Sequence, residues 1–427
     1  MHSLIMTRIK QYINHRNTQT IALLLFVAII HLTRSPEILI DSRFWAEERV
    51  FFENAWIMNP LKALFFSYGG YLNLPVNAAT LIARWCVPLI YAPYVTMCIG
   101  LLFQLLPTYL LLTAKDKWLS SFKIRLFLAL LLLFVPESLE ISLQSLHIQF
   151  HLTLAAAIIL LLDTSSGNQR YFRISILLLT TLSGVMSIFL VPLYLLRCLV
   201  DKDPLRFEQF TILLIGNIIQ FVFFYQSFHD RQYHFSVTDF LSIFFVKNLY
   251  IPFLGNNSLS NPYLLYLKSL ITTQQIPIFA CCISIAVLLI IIYCFYKYPK
   301  TRQASYLLGY NLLNLALATF GAIGPTAWFF EPYFNQRYAF INQSLMCILL
   351  GYFMYALPKK GQYICILLSI LLLIVNCHNF YHLVSHSYGV IPWREQIKIW
   401  KHNPNMNLEI WPKGWFIKLP VHHQTGT

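Results

Sequence analysis

FACCISIAVLLIIIYCF, residues 279–295, holds no charged side chain and runs into a short basic hinge of Lys297, Lys300 and Arg302. TIALLLFVAIIHLT (20–33) and YICILLSILLLIVNC (363–377) are runs of the same kind. A bilayer core about 30 Å thick takes about 20 helical residues, so each run approaches or reaches spanning length. Hydrophobic residues make up 57% of the 427 and charged residues only 11%. An ordinary soluble domain carries about 25% charged residues, so this apolar excess calls for lipid as solvent. The fold class that follows is all-α: a polytopic transmembrane helical bundle.

The net charge of +14 does not point to nucleic acid. Lys and Arg cluster in hinges between apolar runs: Lys115, Lys117, Lys123 and Arg125; Arg170 and Arg173; Lys359 and Lys360. Short basic hinges mark the cytoplasmic side of a membrane protein. No basic stripe with interleaved aromatics, of the kind that tracks a phosphate backbone, is present. The nine cysteines lie almost wholly in apolar segments and form no CxxC pair, which argues against a disulfide framework or a zinc knuckle. The N-terminal MHSLIMTRIKQYINHR lacks a cleavage signature, so the first apolar run reads as a retained anchor.

Arg8, Lys10 and Arg16 place the N-terminus inside, and a first helix over about 19–34 carries the chain out. Parity then makes 76–91, with Arg84, Trp85 and Pro88, a helix lying in the interface, and 94–113 the second span. The first outer loop therefore runs from about 35 to 93. Spans follow over 124–136 and 147–162, and 174–197 breaks at Ser183-Gly184 into two limbs that fold back. Later spans over 211–228, 276–296, 304–323, 340–357 and 362–378 bring the count to about 11 crossings. The bundle would fill 1–378, and 379–427 would form a tail on the outer, periplasmic side, pinned by Pro392-Trp393 and Trp411-Pro412. No internal repeat of the kind that builds many transporters is visible.

On this topology the notable polar residues collect outside. DSRFWAEERVFFENA (41–55) sets Asp41, Glu47, Glu48 and Glu53 among Phe44, Trp45, Phe51 and Phe52. ESLEISLQSLHIQFHL (137–152) supplies Glu137, Glu140, His147 and Gln149, and EPYFNQRYAF (331–340) supplies Glu331, Arg337 and Tyr338. Acids and an Arg at a membrane boundary are costly to desolvate and tend to line an aqueous cavity or substrate path. A convergent carboxylate can take a proton from a hydroxyl, and a guanidinium can grip a phosphate with a two-pronged contact. Trp45, Phe51, Tyr68 and Tyr71 can wall a site for a sugar or lipid. The plainer reading makes Glu47, Glu48 and Arg49 the solvated face of an interface helix, and Arg337 a headgroup anchor. His378, His382 and His386 recur at helical spacing but span about 12 Å, too far to share one ion; no metal site is assigned.

Taken together, RFWAEERVFFENA and YGGYLNLPVNAATLIARW resemble the F-W-A-E-[DE]-G and G-Y-L-x-x-P elements of bacterial polytopic proteins similar to the C-type (GT-C) membrane glycosyltransferases. In order along the chain, ESLEISLQSLHIQFHL, LSGVMSIFLVPLYLLR, NQRYAF and the closing WREQIKIWKHNPNMNLEIWPKGWFIKLP resemble further elements of that set. The resemblance implies a helical bundle with its site in the first outer loop. It also implies a donor in which a sugar is joined to polyprenyl phosphate, used on the outer face of the bacterial inner membrane. Carried over by position, Glu47 matches the motif Glu, Glu48 its second acid, Glu140 the acid of the second outer loop and Arg337 the Arg of Q-R-Y. Asp41 lies near the helix exit where relatives place a catalytic Asp. Arg49 stands in place of the motif Gly, His147 in place of Asn and Phe150 in place of Trp.

The expected function is transfer of a sugar to a cell-envelope glycan, lipid or protein acceptor. Glu47 is the expected base, with Asp41 or Glu48 as alternatives. Arg337 and Arg84 would hold the leaving phosphate, while Glu140, His147 and Gln149 orient hydroxyls beside Tyr338, Trp45 and Tyr71. A divalent cation, if one binds, would take oxygen ligands from Asp41, Glu47 and Glu140; no nucleotide cofactor is expected. The competing classes are a lipid or polysaccharide transporter and a ligase that moves whole glycans. No span recognised in the sequence contains a central ion pair, which disfavours a transporter.

Overall fold

The computed structural model describes residues 2–226, 236–321, 325–332, 335–380 and 391–420, with side chains from 16 onward except that of Gln226. Helix α1 (His2–Arg34) is followed by three short surface helices, α2 (Pro36–Ile40), α3 (Glu48–Ile57) and α4 (Pro60–Leu64). A tight hairpin of β1 (Ser67–Tyr68) and β2 (Tyr71–Leu72) leads into α5 (Leu74–Trp85). The 12 residues of α5 include Arg84, and its exposed Ile82 and Trp85 suit an interface.

The bundle then runs through α6 (Ala92–Thr113), α7 (Phe122–Leu133), α8 (Ile148–Leu161), α9 (Asn168–Thr181), α10 (Leu190–Asp201) and α11 (Pro204–Gln226). It continues through α12 (Val237–Phe244), α13 (Ile251–Leu254), α14 (Asn261–Thr272), α15 (Ile278–Lys297), α16 (Ser305–Gly321), α17 (Gln336–Ala356) and α18 (Lys359–Phe380). The tail folds as α19 (Trp393–His402) and an antiparallel hairpin of β3 (Leu408–Ile410) and β4 (Trp415–Ile417).

Seven described helices are long and apolar enough to span a membrane, and α9 with α10 forms an eighth candidate, bent by 115°. The chain is thus a multi-pass, predominantly helical membrane bundle. The bend sits at Ser183-Gly184, where the sequence calls for a break. One helix of spanning length, Val237–Leu254, has no counterpart among the spans read from the sequence. Thr326, between α16 and α17, hydrogen-bonds Asp239 near its start, and Asn376 near the end of α18 reaches Pro252 near its finish.

The core is built around α8. Every residue from Phe150 to Leu161 is buried, and α6, α9, α10, α16 and α17 surround it. A helix apolar on all sides belongs in the middle of a bundle. Its last carbonyls need partners from outside the helix. The Arg206 guanidinium donates to Leu162 O at 2.5 Å, Gln303 Nε2 donates to Leu161 O at 2.7 Å, and Arg197 donates to Leu160 O. Cations at a helix C-terminus also complement its dipole. Outer helices show the opposite pattern: Leu289 and Ile290 on α15, and Leu367 and Ile374 on α18, are exposed and suit contact with acyl chains.

The charged segments sort to two ends. At one end Arg16 donates to Ala114 O, Asp116 accepts from Asp163 N–H at 2.8 Å, and Arg173 donates to Asp163 O, so basic hinges meet. At the other, the first loop, the 134–147 loop, the start of α17 and the tail meet, as the contacts below describe.

Candidate functional site

The first loop is shaped by a tail that lies far away in sequence. Phe44, Phe52, Ala83 and Ala92 bury against Trp393, Ile397, Leu408, Ile410 and Ile417. The 134–147 loop packs close to α6 because residue 100 is a glycine: a Cβ there would stand 2.4 Å from Gln144 O. These two loops, the α9–α10 bend, the end of α16 and the start of α17 line an open cavity of about 480 Å³. Its polar lining comes from Glu47, His147, Gln149, Arg337, Tyr71 and Tyr338, and its apolar walls include Phe51, Phe150 and Met186.

Arg337, at the first turn of α17, is held by Glu140. The guanidinium Nη1 donates to Glu140 Oε1 at 2.6 Å, and the Arg337 backbone N–H donates to Oε2 at 3.0 Å. The carboxylate thus caps the helix and fixes the guanidinium, which still has further N–H donors to offer. Its cation also lies 5.2 Å from the Tyr338 ring centre.

His147 donates Nδ1–H to Glu140 O at 2.9 Å, because a carbonyl only accepts. Burial, together with the nearby Arg337 cation, holds its pKa well below 6.5, so the ring is neutral and its Nε2 is an acceptor. Tyr71 hydrogen-bonds Gln149, and burial pushes its phenol above the usual value of 10. Gly184 makes room for that pair: it has φ +128°, and a Cβ there would stand 2.2 Å from Gln149 Oε1.

Glu47 stands at the N-terminus of α3, half-buried. Its charge acts on both Tyr71 and Arg337. Among the described residues its carboxylate has no hydrogen bond or ion pair, whereas Glu48 and Glu140 are fully engaged.

Several expected residues lie elsewhere. Asp41 faces a separate cleft with Tyr91, Tyr94 and Arg394. One of its oxygens binds Arg43 at 2.6 Å and the other accepts from the Trp393 N–H at 2.7 Å, so it anchors the tail. Glu48 is 1% exposed; one oxygen accepts from Trp45 N–H at 3.0 Å and the other from Ser145 N–H at 3.1 Å and the Ser145 hydroxyl. It ties the two loops together from behind the cavity. Arg84 stacks on Trp56, 3.5 Å from the ring centre, and does not reach the cavity. Trp45 packs behind the wall between Phe51, Leu146 and Trp411 rather than forming it.

Asp41, Glu47 and Glu140 therefore do not converge as cation ligands, and among the described residues no group of three or more His, Cys, Asp or Glu could hold a metal. Glu331 pairs with Lys268 of α14. Of the three histidines at helical spacing, His382 and His386 lie outside the described residues.

Two features escaped sequence reading. Lys247, 0% exposed, lies within Val237–Leu254 and meets Glu137 at 2.5 Å, with Gln343 donating to the second Glu137 oxygen at 2.7 Å. An ion pair thus does sit in a helix of spanning length; a lone Lys in FFVKNLY was the available signal. Arg49 points to the tail instead of the cavity, donating to Phe416 O at 3.0 Å. Comparison with known proteins finds no matching family model, no similar curated protein and no similar solved structure.

Proposed function

We propose that this protein is a glycosyltransferase of the bacterial inner membrane, moving a sugar from polyprenyl phosphate to a hydroxyl of a cell-envelope glycan, lipid or protein acceptor on the periplasmic face. The observation that carries the reading is the half-buried Glu47 carboxylate, without hydrogen bond or ion pair among the described residues, facing one cavity with the Glu140-held Arg337. The acceptor oxygen attacks the anomeric carbon while Glu47 takes the hydroxyl proton. The bond from that carbon to the phosphate oxygen breaks, its electron pair stays on oxygen, and polyprenyl phosphate leaves as an anion. Arg337 is suited to stabilise the charge that develops there. Direct displacement inverts the anomeric centre.

His147 is a poor base because it stays neutral well below neutral pH, but its Nε2 can accept from a sugar hydroxyl. A cavity of about 480 Å³ lies within the range of about 300–1,000 Å³ for ligand pockets, room enough for a sugar phosphate. The chain is read with about 11 crossings, the N-terminus cytoplasmic and the tail periplasmic. The positive-inside rule and the gathering of basic hinges at the end away from Glu47 support this.

The test is purified protein in lipid nanodiscs with a panel of polyprenyl-phosphate sugars. Glu47→Gln is expected to lower donor turnover by about 10²–10⁴-fold, the usual contribution of a general base. Undiminished turnover in that variant would remove Glu47 from the mechanism. The transporter reading draws its support from the buried Lys247–Glu137 pair. Lipid or glycan translocation by the same preparation, with no donor consumed, would favour it.

A further inference from the structure

The backbone just before Glu47 is unusual. Ala46 has φ +40°, in the left-handed region that a residue with a Cβ seldom occupies. Such a conformation persists only where its surroundings hold it. Here nearly every neighbouring amide is held. The Ala46 N–H donates to Trp411 O at 2.5 Å, and the Trp411 N–H donates to Phe44 O at 3.1 Å. Between them, the Trp45 N–H donates to the Glu48 carboxylate at 3.0 Å.

The hairpin that carries Trp411 is fastened at its other strand as well. Arg49 donates to Phe416 O at 3.0 Å with its cation 5.5 Å from the Trp415 ring centre, and Glu53 accepts from the Lys418 N–H at 2.9 Å. Upstream, Arg43 donates to Glu409 O at 3.2 Å and to Ile391 O at 2.6 Å. Glu47 is therefore the one acid of this stretch that faces the cavity, and it follows directly on a left-handed residue clamped by the tail.

We propose that the C-terminal hairpin is a positioning element of the site. It holds Ala46 left-handed and so aims Glu47 into the cavity, and Arg49 is the positioning residue that couples the hairpin to α3. If Ala46 relaxes to negative φ, the Cα–Cβ direction of the next residue swings and the carboxylate leaves its place opposite Arg337. Arg49, which departs from the glycine of the resembling motif, thus acquires a role outside the cavity. The importance given to Glu47 rests on the glycosyltransferase reading; the backbone coupling does not.

The experiment uses the full chain in nanodiscs, with the exposed Cys86, Cys98, Cys282 and Cys377 changed to Ser. A thiol is introduced by Glu47→Cys, or separately by Tyr68→Cys on the β1 part of the cavity wall, which among the described residues has no hydrogen bond or ion pair with the C-terminal hairpin, and its rate of reaction with a membrane-impermeant maleimide is measured. Adding Arg49→Ala is expected to change the rate at position 47 by about fivefold or more, the size of population shift that release of a held backbone state commands. Arg49→Lys, which keeps a donor for Phe416 O, is expected to stay near the parent rate, and the rate at position 68 is expected to hold throughout.

An unchanged rate at position 47 in the Arg49→Ala background would overturn the proposal. So would an equal change at both positions with a lower melting temperature, since that marks a general brace. Where a polyprenyl-phosphate sugar is turned over, Arg49→Ala in the otherwise native chain is expected to lower kcat with little change in KM. Failure of every donor defeats the glycosyltransferase reading and leaves the labelling result intact.

Discussion

Glu47 and Glu48 are neighbours in sequence, yet they have opposite surroundings. Glu47 faces the cavity, while Glu48 is sealed behind it with both oxygens engaged. Burial raises the pKa of Glu48 above 4.5, and its hydrogen bonds from Ser145, Trp45 and Thr96 only partly offset that cost. A raised folded pKa means the native state binds the proton more tightly than the unfolded chain does. The stability this gives is fully present below the unfolded value of about 4.5 and is lost as pH rises through the higher folded value. Melting temperature is therefore expected to fall over that window, and Glu48→Gln, which cannot titrate, should flatten the slope while lowering stability by leaving Ser145 and Trp45 donors poorly matched. An unchanged slope in the variant would assign the pH dependence to another group. The pair of acids was legible in the sequence; which of them is sealed was not, because Ser145 lies 97 positions away.

At the scale of elements, the α9–α10 bend shows what local sequence can and cannot say. Ser183-Gly184 in a long apolar run marks a break, and a break is present. Its use became visible only with α8 and β2 in place, where Gly184 gives Gln149 the space to reach Tyr71. Gly184→Ala would face both a left-handed φ and a clash with that amide. A loss of about 1–3 kcal/mol is expected, read as a lower melting temperature in detergent. A variant as stable as the parent would show that the bend can rearrange. Val237–Leu254 is the opposite case. Its length and composition qualify it as a span, yet contacts at both of its ends join it to the half of the bundle that carries the cavity.

On the scale of the molecule, charges buried in a membrane protein have to find each other across the chain. Lys247 and Glu137 do so with Gln343, and removing one partner leaves an uncompensated buried charge. Lys247→Met alone is expected to cost about 3–5 kcal/mol, and adding Glu137→Leu should restore most of it, as chemical unfolding in detergent would show. If the double variant stays stable and abolishes an activity that the parent possesses, the pair works in function instead of holding the bundle. The tail is the second long-range tie. Asp41, expected at the chemistry, instead accepts from Trp393 N–H and anchors the segment that clamps Ala46.

The amino-acid sequence by itself determined that this chain is helical, that it is built for lipid, and where its basic hinges and acid-bearing loops alternate. Those properties depend on run length, hydropathy and parity, which are local or cumulative along the chain. Tertiary structure alone decided which acid meets Arg337, which is sealed, and why Arg49 tolerates its place. Each of these depends on a partner between 97 and 367 positions away, and the burial and hydrogen bonding that set a carboxylate's chemistry exist only once that partner has arrived.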